Sequence, residues 1–167
     1  MKGIRKLSAF LRPFIAGAAT YWFRPALRSS WGGPFNGQQH RQKMFVEILK
    51  SMGAGVILET GTFRGTTTEY MARESKIPVW TFESSREYYA YSLTRLWRFP
   101  NVKLRCVDSR RGLRGYFDGS PTSELACFCY LDAHWQDDLP LADELEIIFG
   151  STDNAVVMVD DFCVPND

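Results

Sequence analysis

Two groups of residues in this 167-residue chain could do chemistry. One is a turn, Glu59-Thr60-Gly61-Thr62-Phe63-Arg64-Gly65-Thr66, in which an acid stands two residues before the first of two glycines. Gly61 lets the backbone take a conformation closed to bulkier residues and lets a ligand press against the main chain. Gly65 and the threonines, Thr66 first, open a helix whose free N–H groups and hydroxyls can hold a polar ligand. The other group is acidic: Asp132 with His134 two residues on, and Asp160-Asp161 later in the chain. Three carboxylates brought together repel one another unless something positive sits among them. A divalent cation is the economical expectation, and hard oxygen ligands suit magnesium, so Asp132, Asp160 and Asp161 are the candidate metal ligands. Histidine is the side chain that titrates nearest neutrality, which makes His134 the candidate general base, with a packed imidazole beside Trp135 as the rival reading.

These residues need a scaffold that delivers them to one edge. Val56-Ile57-Leu58 reads as the end of a buried parallel strand that runs out at Glu59. Residues 78–83 form a short β-prone run ending in Glu83, followed by a helix over 86–99. Residues 102–107 alternate and stop at Asp108-Ser109; residues 125–131 are apolar almost throughout, as a central strand buried on both faces should be, and stop at Asp132. A helix over 139–149 sets Leu141, Leu145, Ile148 and Phe149 opposite Asp143, Glu144 and Glu146, and a fifth strand over 155–159 stops at Asp160. The alternation predicts an α/β fold, a Rossmann-like doubly wound and mainly parallel sheet with the first strand central and helices on both faces. In such sheets ligands bind at the carboxyl ends of the strands, where all the candidate residues fall. Glu83 there has acceptor capacity for two ribose hydroxyls, or else it caps the following helix with Ser84 and Ser85.

The turn resembles the first motif of the class I S-adenosylmethionine-dependent methyltransferases, E/D-x-G-x-x-x-G, which Glu59, Gly61 and Gly65 match residue by residue. The resemblance implies that Glu59 organises the amino-acid end of S-adenosylmethionine, that Gly61 and Thr62 pass their backbone along it, and that Asp108 or Ser109 meets the adenine. A plain helix start is the other reading of Asp108. Asp132 and the Asp160-Asp161 pair look like the metal-dependent small-molecule O-methyltransferases of the catechol and the sugar or macrolide types. The catechol-type enzymes carry Asp-Asn where this chain has Asp160-Asp161. The family adds an antiparallel strand pair after the fifth strand, which this sequence lacks. The implied activity is O-methylation of a small-molecule acceptor, with magnesium assistance. Two other functions stay open: a truncated or inactive methyltransferase-like binding module, and another nucleotide-binding α/β enzyme. The last is disfavoured by Glu59 and by the absence of the G-x-G-x-x-G pattern.

Composition frames these readings. Hydrophobic residues make up 45% of the chain, enough for a core, and 20 basic residues nearly cancel 19 acidic ones, so no bulk field recruits nucleic acid. Arg105, Arg110, Arg111 and Arg114 form a local basic cluster, explained equally by a solvated helix face and by an acidic acceptor. Cys106, Cys127, Cys129 and Cys163 fall in or beside strands; reduced core thiols in a cytoplasmic protein are the default. The chain divides into an amphipathic, irregular arm over 1–34 and a cofactor-binding domain over 35–167. The arm opens with Lys2, Arg5 and Lys6, while Arg12 and Pro13 interrupt any signal-peptide core and no stretch approaches transmembrane length. It is expected to pack on the domain, on a partner such as a second copy of the chain, or weakly on a membrane. Asn36 and Gln38, in the turn-rich stretch after Trp31, belong to an entry loop or to a cover over the site.

Overall fold

The computed structural model of the chain describes residues 2–119, 125–133 and 139–160, with side chains from residue 11 onward apart from Ser30. A long helix, α1 (Lys2–Phe23), leads through 3-10 turns at Pro25–Gly32 and Pro34–Gly37 into α2 (Gln39–Met52). Strands and helices then alternate as β1 (Val56–Thr60), α3 (Thr66–Ser75), β2 (Val79–Glu83), α4 (Arg86–Leu96), β3 (Val102–Cys106) and α5 (Ser109–Gly119). The series ends with β4 (Cys127–Leu131), α6 (Leu141–Ser151) and β5 (Ala155–Val159).

All strand pairs are parallel and the order across the sheet is β3-β2-β1-β4-β5. The first strand is therefore central, as the apolar run predicts, and the chain winds outward on one side and then the other. That reversal opens a crevice at the strand tips beside β1. The register brings the tips level: Thr60 lies opposite both Phe82 and Leu131, and Leu131 opposite Val159. Among the described residues there is no antiparallel strand.

Burial follows the two-residue period of a strand. Val56 and Leu58 join Cys127, Cys129 and Leu131 on the face covered by α5 and α6, where Leu113, Ile147 and Ile148 pack. Ile57, Phe128 and Tyr130 face the other way, into a cluster with Phe35, Phe45 and Met71. Cys127 and Cys129 thus share a face as free thiols, and burial raises the pKa of both. Phe35 is fully buried, its ring centroid 5.0 Å from that of Tyr130, so the stretch before α2 is pinned to the sheet.

The helices depart from the expected spans in instructive ways. The helix predicted over 86–99 stops at Leu96, and that predicted over 139–149 runs from Leu141 to Ser151. Three residues of the predicted stripe face the core, Ile148 fully and Leu141 and Leu145 in part, but Phe149 is 55% exposed, and Glu144, 1% exposed, and Ile147 are buried with them. Glu144 tolerates burial because Thr60 Oγ1 donates to it at 3.3 Å, and burial raises its pKa so that the neutral form is favoured. Pro13 sits inside α1 without ending it. That helix lies along α4, with Phe14 edge-on to Tyr89 at 6.1 Å and Tyr21 edge-on to Tyr91 at 5.4 Å.

Candidate functional site

The turn after β1 is closed by three main-chain hydrogen bonds. Gly61 N and Thr62 N donate to Phe82 O at 3.1 and 3.3 Å, and Gly65 N donates to Thr62 O at 2.8 Å. Gly61 has φ 78°, and a Cβ there would lie 2.3 Å from the carbonyl oxygen of Asp132, so glycine alone lets the tips of β1 and β4 meet. Phe63 also has a positive φ, 48°, which costs a non-glycine residue roughly 1–2 kcal/mol. The turn is held in that state by its neighbours: Phe63 N donates to Glu83 Oε2 at 2.8 Å, Ser92 Oγ donates to Phe63 O at 2.5 Å, and the ring lies 4.5 Å from that of Tyr88.

Glu59 stands behind this turn, 1% exposed and away from the pocket wall. Its Oε2 accepts from Thr68 Oγ1 at 2.5 Å and from Thr81 Oγ1 at 2.6 Å, and Thr81 in turn meets Thr62. Desolvation outweighs both hydrogen bonds and raises its pKa to about 8. Glu59 is thus a neutral acid at pH 7 that ties β1 to β2 and α3. The direct approach to a ligand that the motif implies is not the arrangement seen. Thr66 is also engaged elsewhere, its hydroxyl accepting from Arg95, and Gly65 and Thr62 lie outside the pocket lining.

A cavity of about 510 Å³ opens over the strand tips, within the size range of small-molecule sites. Gly61, Glu83, Asp108, Ser109 and Asp132 line it, so five sequence-predicted residues converge. Phe63 and Tyr88 add aromatic walls, and Trp31 and Asn36 come over from the stretch before α2. Three of the lining residues are acids and none is Lys or Arg. A second hollow of about 380 Å³, beside Leu93, Trp97 and Arg105, lies on the outer flank and carries no carboxylate.

Each acid at the tips has a different environment. Glu83 is 7% exposed; besides Phe63 N, it accepts from Ser85 N through Oε1 at 2.7 Å. Each oxygen spends one lone pair on a main-chain N–H and keeps another, an arrangement that fits two adjacent hydroxyls. The helix-cap duty falls to Ser85, whose Oγ accepts from Tyr88 N at 3.4 Å. Burial raises the pKa of Glu83, against the lowering effect of the main-chain donors. Asp108 both starts α5 and lines the pocket: its carboxylate accepts from Arg110 Nη2 at 2.8 Å and from Arg110 N at 3.1 Å, and the Arg110 contact lowers its pKa. Arg110 of the predicted basic cluster is therefore committed to Asp108 and Asp143.

Asp160, 2% exposed, forms an ion pair with Arg41 and accepts from Asn36 Nδ2 at 2.9 Å. The positive charge expected among the acids is here a guanidinium from α2. Among the described residues no cluster of His, Cys, Asp or Glu could hold a metal ion, and of the candidate ligands Asp160 is engaged by Arg41 and Asn36. Asp161, His134, Trp135 and Cys163 lie outside the described residues.

Comparison with solved structures decides the fold. An O-methyltransferase from Bacillus cereus in complex with SAH is similar with a TM-score of 0.59 and 20% identity, over 80% of this chain and 61% of that one. The O-methyltransferase TomG from Streptomyces achromogenes, in complex with SAM, is similar with a TM-score of 0.56 and 20% identity, over 73% of this chain and 55% of that one. A methyltransferase from Podospora anserina, bound to SAH, gives a TM-score of 0.59 and 16% identity over 96% of this chain and 70% of its own. This is the class I methyltransferase fold. The chain spans 61% and 55% of the length of the two O-methyltransferases, and 51% and 57% of two further similar structures. No family model and no curated protein matches the sequence.

Within this methyltransferase fold several site residues were invisible to sequence reasoning. Phe63 sits between the two motif glycines, and Tyr88 is one of several aromatics in α4, so neither carries a local signal. Arg95, 8% exposed, donates to Arg64 O at 3.0 Å, to Thr66 and to Arg28 O, and pairs with Glu69 at 3.3 Å. It thereby ties the 3-10 segment bearing Trp31 to α3 and α4. A buried arginine on a helix of otherwise ordinary pattern gives no warning of that role.

Proposed function

We propose that this chain is the cofactor-binding part of an S-adenosylmethionine-dependent methyltransferase that acts on a small-molecule oxygen acceptor. The observation that carries the reading is the lining of the pocket: among the described residues Glu83, Asp108 and Asp132 line it and no Lys or Arg does, the Arg110 that pairs with Asp108 lying outside the wall. Such a wall favours a ligand with a cationic centre and disfavours a pyrophosphate, which separates a sulfonium nucleoside from a dinucleotide. When bound, the sulfonium supplies an electrophilic methyl group for in-line transfer.

In this reading Glu83 holds the ribose hydroxyls through its two free lone pairs. The open backbone at Gly61 gives the amino-acid end its approach, and Asp108 and Ser109 bound the base. Phe63, Tyr88 and Trp31 exclude water from the apolar parts of the ligand. Asp132, at the tip of β4, and His134, two residues further on, are the proposed acceptors of the attacking hydroxyl's proton. Charge at the tip of β5 is balanced by Arg41, so no step is routed through a metal. A binding module without activity of its own is the second reading.

Titration calorimetry of the whole chain with S-adenosylhomocysteine, S-adenosylmethionine and NAD tests the proposal. Binding of the first two is expected, with Glu83→Gln weakening it roughly tenfold or more through loss of charge-assisted hydrogen bonds. Binding of NAD alone would overturn the reading. Methyl release in the presence of candidate hydroxyl acceptors then separates an enzyme from a binding module.

A further inference from the structure

The charge of this chain is segregated along its length. Residues 1–34 hold six Lys or Arg and no Asp or Glu, whereas residues 35–167 hold fourteen bases against nineteen acids. Near-neutrality of the whole conceals a basic arm on an acidic domain. The arm includes α1, which is attached to the domain by one side only. Gly17 is buried so tightly against α4 that a Cβ would lie 2.1 Å from Glu87 O, and Phe14 and Tyr21 pack beside it on the rings of Tyr89 and Tyr91. About 105° round the helix from these contacts lie Leu11, Ile15 and Trp22, which fall within about 40° of one another at the 3.6-residue period. They are 42%, 66% and 61% exposed, and Phe23, at the end of the helix, is 83% exposed. Arg12, on the flank of this stripe, and Arg24, the residue after the helix, are exposed.

We propose that this outer side of α1 docks on an anionic lipid surface, lying in the headgroup plane without crossing it. Three observations select that occupant. Among the described residues no helix is long and apolar enough to cross a membrane, so an in-plane position is the membrane mode available to α1. A stripe of Leu, Ile, Trp and Phe flanked by arginines has the chemistry of the interfacial region, where indole and phenyl rings sit at headgroup level and guanidinium groups meet phosphate. A nucleic acid would use the same cations but has no need of exposed Leu11 and Ile15. A second copy meeting this face with its own α1 would bring like charge against like charge.

The test is co-flotation of the whole chain with vesicles of phosphatidylcholine alone and of phosphatidylcholine containing about one-third phosphatidylserine. Binding is expected only to the anionic vesicles, weakening as salt is raised. Arg12→Glu with Arg24→Glu should weaken it by about fivefold or more per residue, and Trp22→Ser with Phe23→Ser should abolish it while leaving the melting temperature unchanged. Bromolipid quenching supplies a second readout. Trp22→Phe should keep vesicle binding but lose much of the tryptophan quenching. Equal binding to neutral vesicles, no binding at all, or binding indifferent to Trp22 and Phe23 would each overturn the proposal. So would a stable dimer that dissociates in the Trp22→Ser, Phe23→Ser protein, or oligonucleotide binding that outcompetes the vesicles.

Discussion

Replacing Glu59 by glutamine separates a structural acid from a ligand-contacting one. In the unfolded chain this carboxyl releases its proton near the ordinary value of 4.5, whereas in the fold it holds the proton to about 8. Between those values the folded state binds the extra proton, so each rise in pH disfavours folding. Stability fully present below 4.5 is lost as the pH climbs through 8. At 1.36 kcal/mol for each pH unit, the loss is about 3 kcal/mol at pH 7 and about 5 kcal/mol above pH 8, as an order of magnitude. Burial shifts Glu83 and Glu144 in the same direction, and Asp108, shifted downward, acts only at lower pH. Glutamine keeps an oxygen for Thr68 and Thr81 and has no proton to lose. Urea unfolding of the Glu59→Gln chain, followed by circular dichroism across this window, should therefore show a stability advantage over the native chain. That advantage should grow with pH by about 3 kcal/mol up to neutrality and level off above pH 8. S-adenosylhomocysteine affinity should stay within a few-fold, because Glu59 does not line the pocket. A constant stability difference between the two proteins would refute the buried-acid argument, and loss of binding with full stability would restore Glu59 as a direct contact.

Gly61→Ala forces a Cβ against the Asp132 carbonyl at a positive φ; urea unfolding should show a loss of about 2–4 kcal/mol, and calorimetry should show no cofactor-analogue binding. Arg41→Ala strands a buried Asp160 charge and should cost about 3 kcal/mol, with Asp160→Asn added in the same chain recovering much of it in a double-mutant cycle. Magnesium and chelators should leave the melting temperature of the native chain unchanged. A magnesium-dependent rise would show that the cation, not Arg41, belongs at the tip of β5.

How much of this was written in the chain depends on the range of each interaction. Strand tips are legible because a strand's burial is local: the apolar run of β4 ends at Asp132, which emerges at once, whereas in β1 the polar Glu59 and Thr60 are still buried and the exit comes at Gly61. Gly61, Glu83, Asp108, Ser109 and Asp132 were found that way, since an acid or small residue just after such a run has to emerge on the ligand edge. The side of a helix is less legible. Asp143, Glu144 and Glu146 look alike in sequence, yet Glu144 alone turns inward, because Thr60 on β1 offers its hydroxyl there. Phe63 and Trp31 owe their positions to backbone conformations with positive φ that no side-chain pattern announces.

The charge states of the acids lay furthest from view. Their spacing suggested mutual repulsion and hence a metal, but repulsion requires ionisation, and the environment of each carboxyl decides that. Glu59 is neutral because it is buried with hydroxyl partners only. Arg110, two residues away, lowers the pKa of Asp108, and Arg41, more than a hundred residues away, pairs with Asp160. Arg41 reads in sequence as one more polar residue at the start of a helix, and only the packing of α2 beside β5 turns it into a counter-ion. The same packing supplies Asn36 to Asp160, which draws the stretch before α2 over the pocket. One carboxylate thus ties two elements to the tip of the fifth strand: Asp160 takes its counter-charge from Arg41 of α2 and holds Asn36 of the cover under which a ligand would lie.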